Sequence, residues 1–220
     1  MTGAAPRIVL IHAVTVAMAP VAEAFAERWP GADTVNLLDD SLTRELGTGG
    51  DLTTGIFARF AALTRYAVDI GADGILFTCS AFGEAIDAAR AGVGFPVLKP
   101  NEAMFEAALD AGERIGMLST AEAAVASMEA EFRVLARERG AAARLETVCV
   151  TEAMAALVAG DAEAHNRMLA DAAPRLAGCD AVLLAHFSTA RALGAVSAAT
   201  HCPVLSAPAS AVDKLRNLVG

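Results

Sequence analysis

The feature that most restricts the fold of this chain is an internal repeat, in which matching segments stand at a constant offset of 107 in the numbering. The segment RIVLIHAVTVAMAPVAEAF begins at Arg7, and RIGMLSTAEAAVASMEAEF begins at Arg114. The same offset separates GADGIL at Gly71 from GCDAVL at Gly178, and it separates the two PVL segments. Landmarks that keep this register without a gap predict that the chain consists of two duplicated halves.

Each half alternates short apolar runs with amphipathic segments, a rhythm typical of parallel sheets that helices cover on both faces. In the first half we predict helices that end near Trp29, cover 52–70, cover 81–91 and follow Asn101. Asp51 and Asn101 are the predicted N-caps, and a loop with Gly47, Gly49 and Gly50 precedes the second helix. The predicted strands of this half cover residues 8–11, 34–38, 75–78 and 96–98.

The predicted fold class is therefore α/β, with two similar parallel-sheet halves related by a pseudo-twofold axis and an active site in the cleft between them. The second half repeats the pattern from 115 to 218, and the last helix, at 209–218, is expected to pack back onto the first half. The expected domains are 1–98 with 207–220, and 99–206.

Composition and charge limit the classes of partner. The formal net charge is −9, which argues against nucleic acid or an anionic membrane surface as the main partner. No apolar stretch is long enough to span a bilayer. The apolar segment after Arg7 resembles a signal peptide, but its repeat copy at Arg114 indicates that it belongs to the fold. The four cysteines contain no C-x-x-C pair, so we expect reduced thiols in a cytoplasmic protein.

Chemically capable side chains fall where predicted strands end, and ligands of such sheets bind at the carboxyl ends of the strands. Cys79 follows the third strand of the first half, and His186 stands at the equivalent position of the second half under the same offset. His12 ends the first strand of its half, and Ser119 with Thr120 ends the corresponding strand of the other half.

The sequence resembles the aspartate/glutamate racemase superfamily over essentially the whole chain. The resemblance is carried by TCS after the third strand, by IGMLST at the start of the second half, and by the PVL strands, the first of which is followed by NEA. That superfamily includes cofactor-independent amino-acid racemases, hydantoin racemases, maleate isomerase and arylmalonate decarboxylase.

The resemblance implies a role for Cys79, which matches the first of the two cysteines that flank the substrate α-carbon in the racemases. The second cysteine position is occupied by His186, which departs from the two-thiol pattern. The decarboxylase of the family uses a cysteine in the second position, and maleate isomerase uses its first-position cysteine as a nucleophile. Cys79 could therefore act as a base or as a nucleophile.

Each candidate also has a purely structural reading. Cys79 could be a buried thiol, although the hydroxyls of Thr78 and Ser80 and a following helix N-terminus would stabilise a thiolate. His186 could be a core histidine, a second acid/base, or a hydrogen-bond donor to the substrate. Four further side chains could bind the substrate or could be helix caps and packing residues: His12, Ser80, Ser119 and Thr120. The hydroxyls among them are suited to a substrate carboxylate.

We predict no site role for the other histidines and cysteines. His165 lies at a polar helix start and is predicted to be solvated. Cys149 and Cys179 are predicted to be shielded packing residues, and His201 and Cys202 are read as structural residues of a turn.

No cofactor is predicted, because neither lysine is placed for a Schiff base, no glycine motif joins a strand to a helix, and no metal-ligand spacing occurs. The leading hypothesis is a cofactor-independent isomerase of racemase type that acts on a small carboxylate or amide through Cys79. The alternatives are a decarboxylase of arylmalonate type and an inactive protein that binds small acids. The sequence leaves open whether the chain forms a homo-oligomer.

Overall fold

A computed structural model describes residues 4–46 and 51–220. The predicted loop glycines Gly47, Gly49 and Gly50 lie outside the described residues. The chain divides into two compact units, one formed by Met1–Pro100 with Ala211–Gly220 and the other by Asn101–Ser210. Each unit contains one four-stranded sheet in which every pairing is parallel.

The first sheet has the strand order β2-β1-β3-β4, and the second has the equivalent order β6-β5-β7-β8. The strands of the first sheet are β1 Arg7–His12, β2 Asp33–Leu38, β3 Gly74–Phe77 and β4 Val97–Leu98. Those of the second sheet are β5 Arg114–Ser119, β6 Arg144–Cys149, β7 Ala181–Leu184 and β8 Val204–Ser206.

Helices connect successive strands, as parallel pairing requires. In the first half they are α1 Met18–Arg28, α2 Thr54–Asp69, α3 Gly83–Arg90 and α4 Glu102–Ala111. In the second half they are α5 Glu122–Glu138, α6 Thr151–Val158, α7 Ala162–Ala172, α8 Leu193–Ala199 and α9 Ala207–Val219. The central strands β3 and β7 are buried at every residue, which explains why their sequences are continuous apolar runs.

The fold confirms two similar α/β halves, but the predicted gap-free register is wrong at one strand pair. The offset of 107 relates the starts of β1 and β5, of β3 and β7, and of β4 and β8. The second strands begin at Asp33 and Arg144, so β6 starts four positions later than that offset predicts. The first helix has 17 residues in the second half and 11 in the first half. The second half is therefore longer before its second strand. It is shorter by the same number of residues between its second and third strands, where the offset of 107 is restored.

The final helix of each half lies mainly in the unit built from the other half. In the first unit, α9 is tied to α1 because the Arg28 guanidinium donates to both carboxylate oxygens of Asp213, at 2.7 Å for the shortest contact. Leu215 lies against Gly74 at the start of β3. In the second unit, α4 packs on α5 through an edge-to-face contact of Phe105 with Phe132, whose ring centroids are 5.5 Å apart.

Neither Asp51 nor Asn101 caps its helix through its side chain, although Asn101 does occupy the N-cap position of α4. Thr53, not Asp51, caps α2, because its hydroxyl accepts from the Ile56 N–H at 3.3 Å. Asn101 precedes α4 but already has helical backbone angles, and its amide donates to Glu131 at 3.2 Å instead of capping. An N-cap side chain needs an extended backbone to fold back onto the first turn. Within the two described ranges, no helix is long and apolar enough to cross a membrane.

Candidate active site

Cys79 lies directly after β3, in a turn that aromatic packing holds in place. Phe77 at the end of β3 and Phe82 in the following 3₁₀ turn both pack on Phe60 of α2, with ring centroids 5.2 and 5.0 Å apart. Cys79 has extended backbone angles and is partly exposed, and Ser80 opens the 3₁₀ turn. The thiol is therefore presented at the carboxyl end of a central strand, on a rigid apolar base.

The electrostatic surroundings of Cys79 differ from the expected ones. Burial raises the pKa of its thiol, and a hydrogen bond from the backbone of Ala81 partly opposes that rise. The Thr78 hydroxyl, expected to help hold a thiolate, is bonded to His12 instead. Cys79 is thus a protonated thiol at neutral pH in the free protein, and a strong base once it loses its proton.

His12, at the end of β1, is fully buried and both of its ring nitrogens are engaged. Nδ1 lies 2.9 Å from the Thr78 hydroxyl, and Nε2 lies 2.9 Å from the side-chain oxygen of Asn36. Burial lowers the pKa of His12, so its imidazole is neutral near pH 7.

In the second unit, Ser119 and His186 are bonded to each other. Ser119 ends β5 and is fully buried, and its hydroxyl lies 3.1 Å from Nε2 of His186. The Ala121 N–H donates to the same hydroxyl at 3.3 Å. The backbone of His186 is held by Thr189, whose hydroxyl accepts from the His186 N–H and donates to its carbonyl at 2.7 Å.

The imidazole of His186 is neutral at physiological pH. Desolvation lowers its pKa from 6.5 to about 4, since the charged form loses more hydration than the neutral form on burial. A neutral imidazole can donate one hydrogen bond and accept another.

Thr120 is buried to 2% exposure, yet its hydroxyl has no hydrogen-bond partner among the described residues. It directly follows Ser119 at the carboxyl end of β5. Buried hydroxyls are normally paired, because an unpaired one costs free energy, and an exception needs a reason. A hydroxyl that is left for a ligand provides one.

The predicted site residues therefore form one group in each unit. Cys79 and Ser80 are neighbours in the first unit, where His12 reaches them through Thr78. Ser119, Thr120 and His186 form the group of the second unit. Within the parts of the chain that the structure describes, no set of three or more potential metal ligands occurs.

Two predictions outside these groups are wrong. His165, expected to be solvated, is fully buried, and its Nε2 has no partner within the described ranges. The signal was its spacing from the buried residues Leu169 and Ala172, which places all three on one helix face. Cys149 and Cys179, expected to be shielded, are partly exposed.

Cys149 is a strand-end thiol that sequence reasoning did not select for the site. It ends β6 and pairs in register with Ser119. Burial raises the pKa of this thiol, and a hydrogen bond to the Glu122 carboxylate adds to the rise. The residue thus has the position of a site residue, but its surroundings keep it protonated.

The architecture of two parallel α/β halves can be compared with that of known proteins. The Asp/Glu/hydantoin racemase model matches residues 9–177, so the chain belongs to that family. Allantoin racemase from Klebsiella pneumoniae is 18% identical, with a TM-score of 0.74 over 98% of this chain and 88% of that one. A glutamate racemase isoform from Bacillus anthracis is 12% identical, with a TM-score of 0.72 over 98% and 82% of the two chains.

A mutant of arylmalonate decarboxylase in a sulfate-associated form is also similar, with 16% identity and a TM-score of 0.68 over 98% of this chain and 94% of that one. At these identities the solved structures establish the fold. The search of curated proteins finds no match. Family membership and the racemase neighbours support an enzyme of racemase or isomerase type.

Proposed function

We propose that this protein is a cofactor-independent racemase or isomerase that acts on a small carboxylate or amide through Cys79. The observation that carries the proposal is the equivalence of Cys79 and His186. Cys79 follows β3 and His186 follows β7, each one of the two inner strands of its sheet. Both residues therefore lie at the carboxyl end of a strand, where parallel sheets bind ligands. Membership of the racemase family supports the same chemistry.

In the proposed reaction, the Cys79 thiolate removes the proton from the substrate carbon next to a carbonyl group. The C–H bonding electrons move into the carbonyl, which gives an enolate, and Cys79 becomes a thiol. The proton that arrives on the opposite face comes from His186 if it acts as an acid, or from a solvent water if His186 only binds the substrate, and this gives the other enantiomer. The Cys79 thiol then loses its proton to solvent, which restores the thiolate. The raised pKa of Cys79 supports both roles, because its thiolate is a strong base and its thiol is well populated as an acid in the reverse direction.

His186 has two proposed roles, and its electrostatics favour one of them. As a second acid/base it would exchange a proton with the face opposite Cys79. A pKa of about 4 makes imidazolium scarce at neutral pH and makes the imidazole a weak base. We therefore favour a neutral imidazole that donates a hydrogen bond to the substrate.

Four further side chains were expected to bind the substrate, and their hydrogen bonding separates them. The Thr120 hydroxyl has no partner among the described residues, so it is the best proposed donor to a carboxylate or an enolate oxygen. Ser80, in the turn after Cys79, is proposed to contribute a second hydroxyl. Ser119 is bonded to His186, so we propose that it acts by orienting that imidazole. His12 has both ring nitrogens bonded to protein side chains, so we propose no substrate contact for it.

The test is deuterium incorporation at the substrate α-carbon in heavy water, measured by mass spectrometry over a panel of amino acids, hydantoins and substituted malonates. Exchange with an intact carbon skeleton supports a racemase, and chiral chromatography then identifies the product. Release of carbon dioxide would support a decarboxylase instead. Tight binding with neither outcome would support a protein that only binds small acids.

A matched pair of variants ties any activity to the proposed residue. Cys79→Ala removes the proposed base, whereas Cys202→Ala removes a thiol that is also partly exposed but belongs to the other unit and to no proposed site. Loss of exchange in the first variant alone supports the proposal. Full activity of Cys79→Ala would overturn it.

A further inference from the structure

The hydrogen bonds of His12 join three adjacent strands at the carboxyl edge of the first sheet. Asn36 lies on β2, His12 ends β1, and Thr78 follows β3, so the imidazole bridges both neighbours of the central strand β1. The ring is fully buried. With both ring nitrogens already engaged by protein side chains, His12 has no ring atom left to bind a substrate.

The chemistry of the partners fixes the direction of these hydrogen bonds. The side-chain oxygen of Asn36 can only accept, so the proton of the neutral imidazole is on Nε2. Nδ1 is then an acceptor, and the Thr78 hydroxyl donates to it at 2.9 Å in preference to the Ile11 carbonyl, which lies 3.4 Å from the same hydroxyl. The hydroxyl proton of Thr78 is therefore engaged by His12.

Thr78 is held to β1 by a second bond as well. Its backbone N–H donates to the carbonyl of Ile11 at 3.0 Å. Backbone and side chain of Thr78 thus both bond to β1, at residues 11 and 12. The next residue in the chain is Cys79, whose backbone starts from this fixed peptide.

We propose that Asn36, His12 and Thr78 form a positioning set for Cys79, in which Asn36 selects the Nε2–H tautomer of His12 and His12 anchors Thr78. The proposal rests on the proposed function of Cys79 and assigns His12 a role without substrate contact. A displacement of a reacting group by about 1 Å can cost about 100-fold in rate, which is why such an anchor matters.

The tautomer can be measured without any substrate. Long-range ¹H–¹⁵N correlation spectra of the uniformly ¹⁵N-labelled full chain distinguish a protonated from an unprotonated ring nitrogen, and His12→Asn assigns the signal among the four histidines. We expect the Nε2–H form in the wild type, and a mixture of tautomers in Asn36→Ala. An Nδ1–H form in the wild type would overturn the role of Asn36.

The anchor is tested with a nearly isosteric substitution and its conservative rescue. Thr78→Val removes the hydroxyl, and Thr78→Ser keeps it. We expect Thr78→Val to lower kcat about 10-fold to 100-fold with little change in KM, and Thr78→Ser to recover most of the loss. Thr64→Val is the matched control, since Thr64 is a buried threonine of the same unit whose hydroxyl has no partner among the described residues.

Alkylation of Cys79 gives a readout that is independent of turnover. The rate constant for modification by iodoacetamide, resolved by peptide mass spectrometry, should change at least about threefold at Cys79 in Thr78→Val and stay constant at Cys149. If the wild type turned over no substrate while the tautomer and alkylation results held, the proposed function would fail and the positioning set would stand. Equal kcat and equal Cys79 alkylation in wild type and Thr78→Val would overturn the positioning set and leave the function intact.

Discussion

The two halves contain the same kind of cross-strand bond with its partners exchanged. In the first half the imidazole of His12 ends the central strand β1 and bonds the hydroxyl of Thr78 after β3. In the second half the hydroxyl of Ser119 ends β5 and bonds the imidazole of His186 after β7. His12 and Ser119 are equivalent under the repeat, since each is the last residue of the first strand of its half.

This exchange decides which side chain of each half is available for chemistry. In the first half, the imidazole is used inside the sheet edge and a thiol follows β3. In the second half, the imidazole stands at the position equivalent to that thiol, and a buried serine supports it from the neighbouring strand. The repeat thus preserves the backbone frame, whereas the bonded residues after the third strands are not equivalent, since Thr78 is one residue before the position that corresponds to His186. An unequal pair of groups predicts unequal effects of mutation.

The largest expected effect is that of Cys79→Ala, which should abolish racemisation of both enantiomers, because Cys79 is the proposed base in one direction and the proposed acid in the other. The measurement is the initial rate from each enantiomer by chiral chromatography, with the Cys202→Ala variant as control. Residual turnover of either enantiomer well above the background rate would mean that the second half can act without Cys79.

The next effect concerns pH and stability. The folded-state pKa of His186 is about 4, below its ordinary value of 6.5, so the unfolded chain binds a proton more readily than the folded one. Its contribution to stability is complete above about pH 6.5 and is lost as the pH falls toward 4, on the order of 3 kcal/mol. The lowered pKa values of His12 and His165 act in the same direction.

Urea denaturation between pH 7.5 and pH 4 measures this loss. We expect the free energy of unfolding of His186→Asn to depend less steeply on pH than that of the wild type. Parallel curves for the wild type and His186→Asn would show that the folded protein accommodates the charged imidazole.

Some features of the two halves can be predicted from the sequence, and others cannot. The duplication, the alternation of strands and helices within each half and the strand-end positions of Cys79 and His186 follow from spacing and apolar runs, because buried parallel strands need continuous apolar residues. The shift between β2 and β6 did not follow, since the longer first helix of the second half is compensated before the next landmark.

Hydrogen-bond partners were the features that sequence reasoning could not reach. Thr78 is next to Cys79 in the sequence, yet its hydroxyl bonds a residue 66 positions away. Asn101 is a residue type typical of N-caps, but its side-chain amide donates to Glu131 of α5. Such choices are made by tertiary neighbours, which local patterns do not encode.

A smaller effect is expected for His186→Asn. If His186 binds the substrate as a neutral donor, both directions of the reaction should slow alike, by about 10-fold to 100-fold, or about 1.4 to 2.7 kcal/mol. Rates from both enantiomers and α-proton exchange of each in heavy water give the answer. Exchange confined to one enantiomer, with racemisation of both abolished, would instead make His186 a second acid/base.

The smallest expected effect is that of Thr120→Val, which tests the unpaired hydroxyl of the second half. Removal of a buried hydroxyl without a partner should leave the free energy of unfolding unchanged or raise it by up to about 1 kcal/mol, because its desolvation is no longer uncompensated. If the hydroxyl binds the substrate in the ground state and the transition state alike, KM should rise about tenfold and kcat should stay constant. Thr64→Val, which removes a similarly unpaired hydroxyl from α2, should leave KM unchanged. Steady-state kinetics and urea denaturation of both variants separate the outcomes, and a loss of stability in Thr120→Val without a change in KM would make the hydroxyl structural.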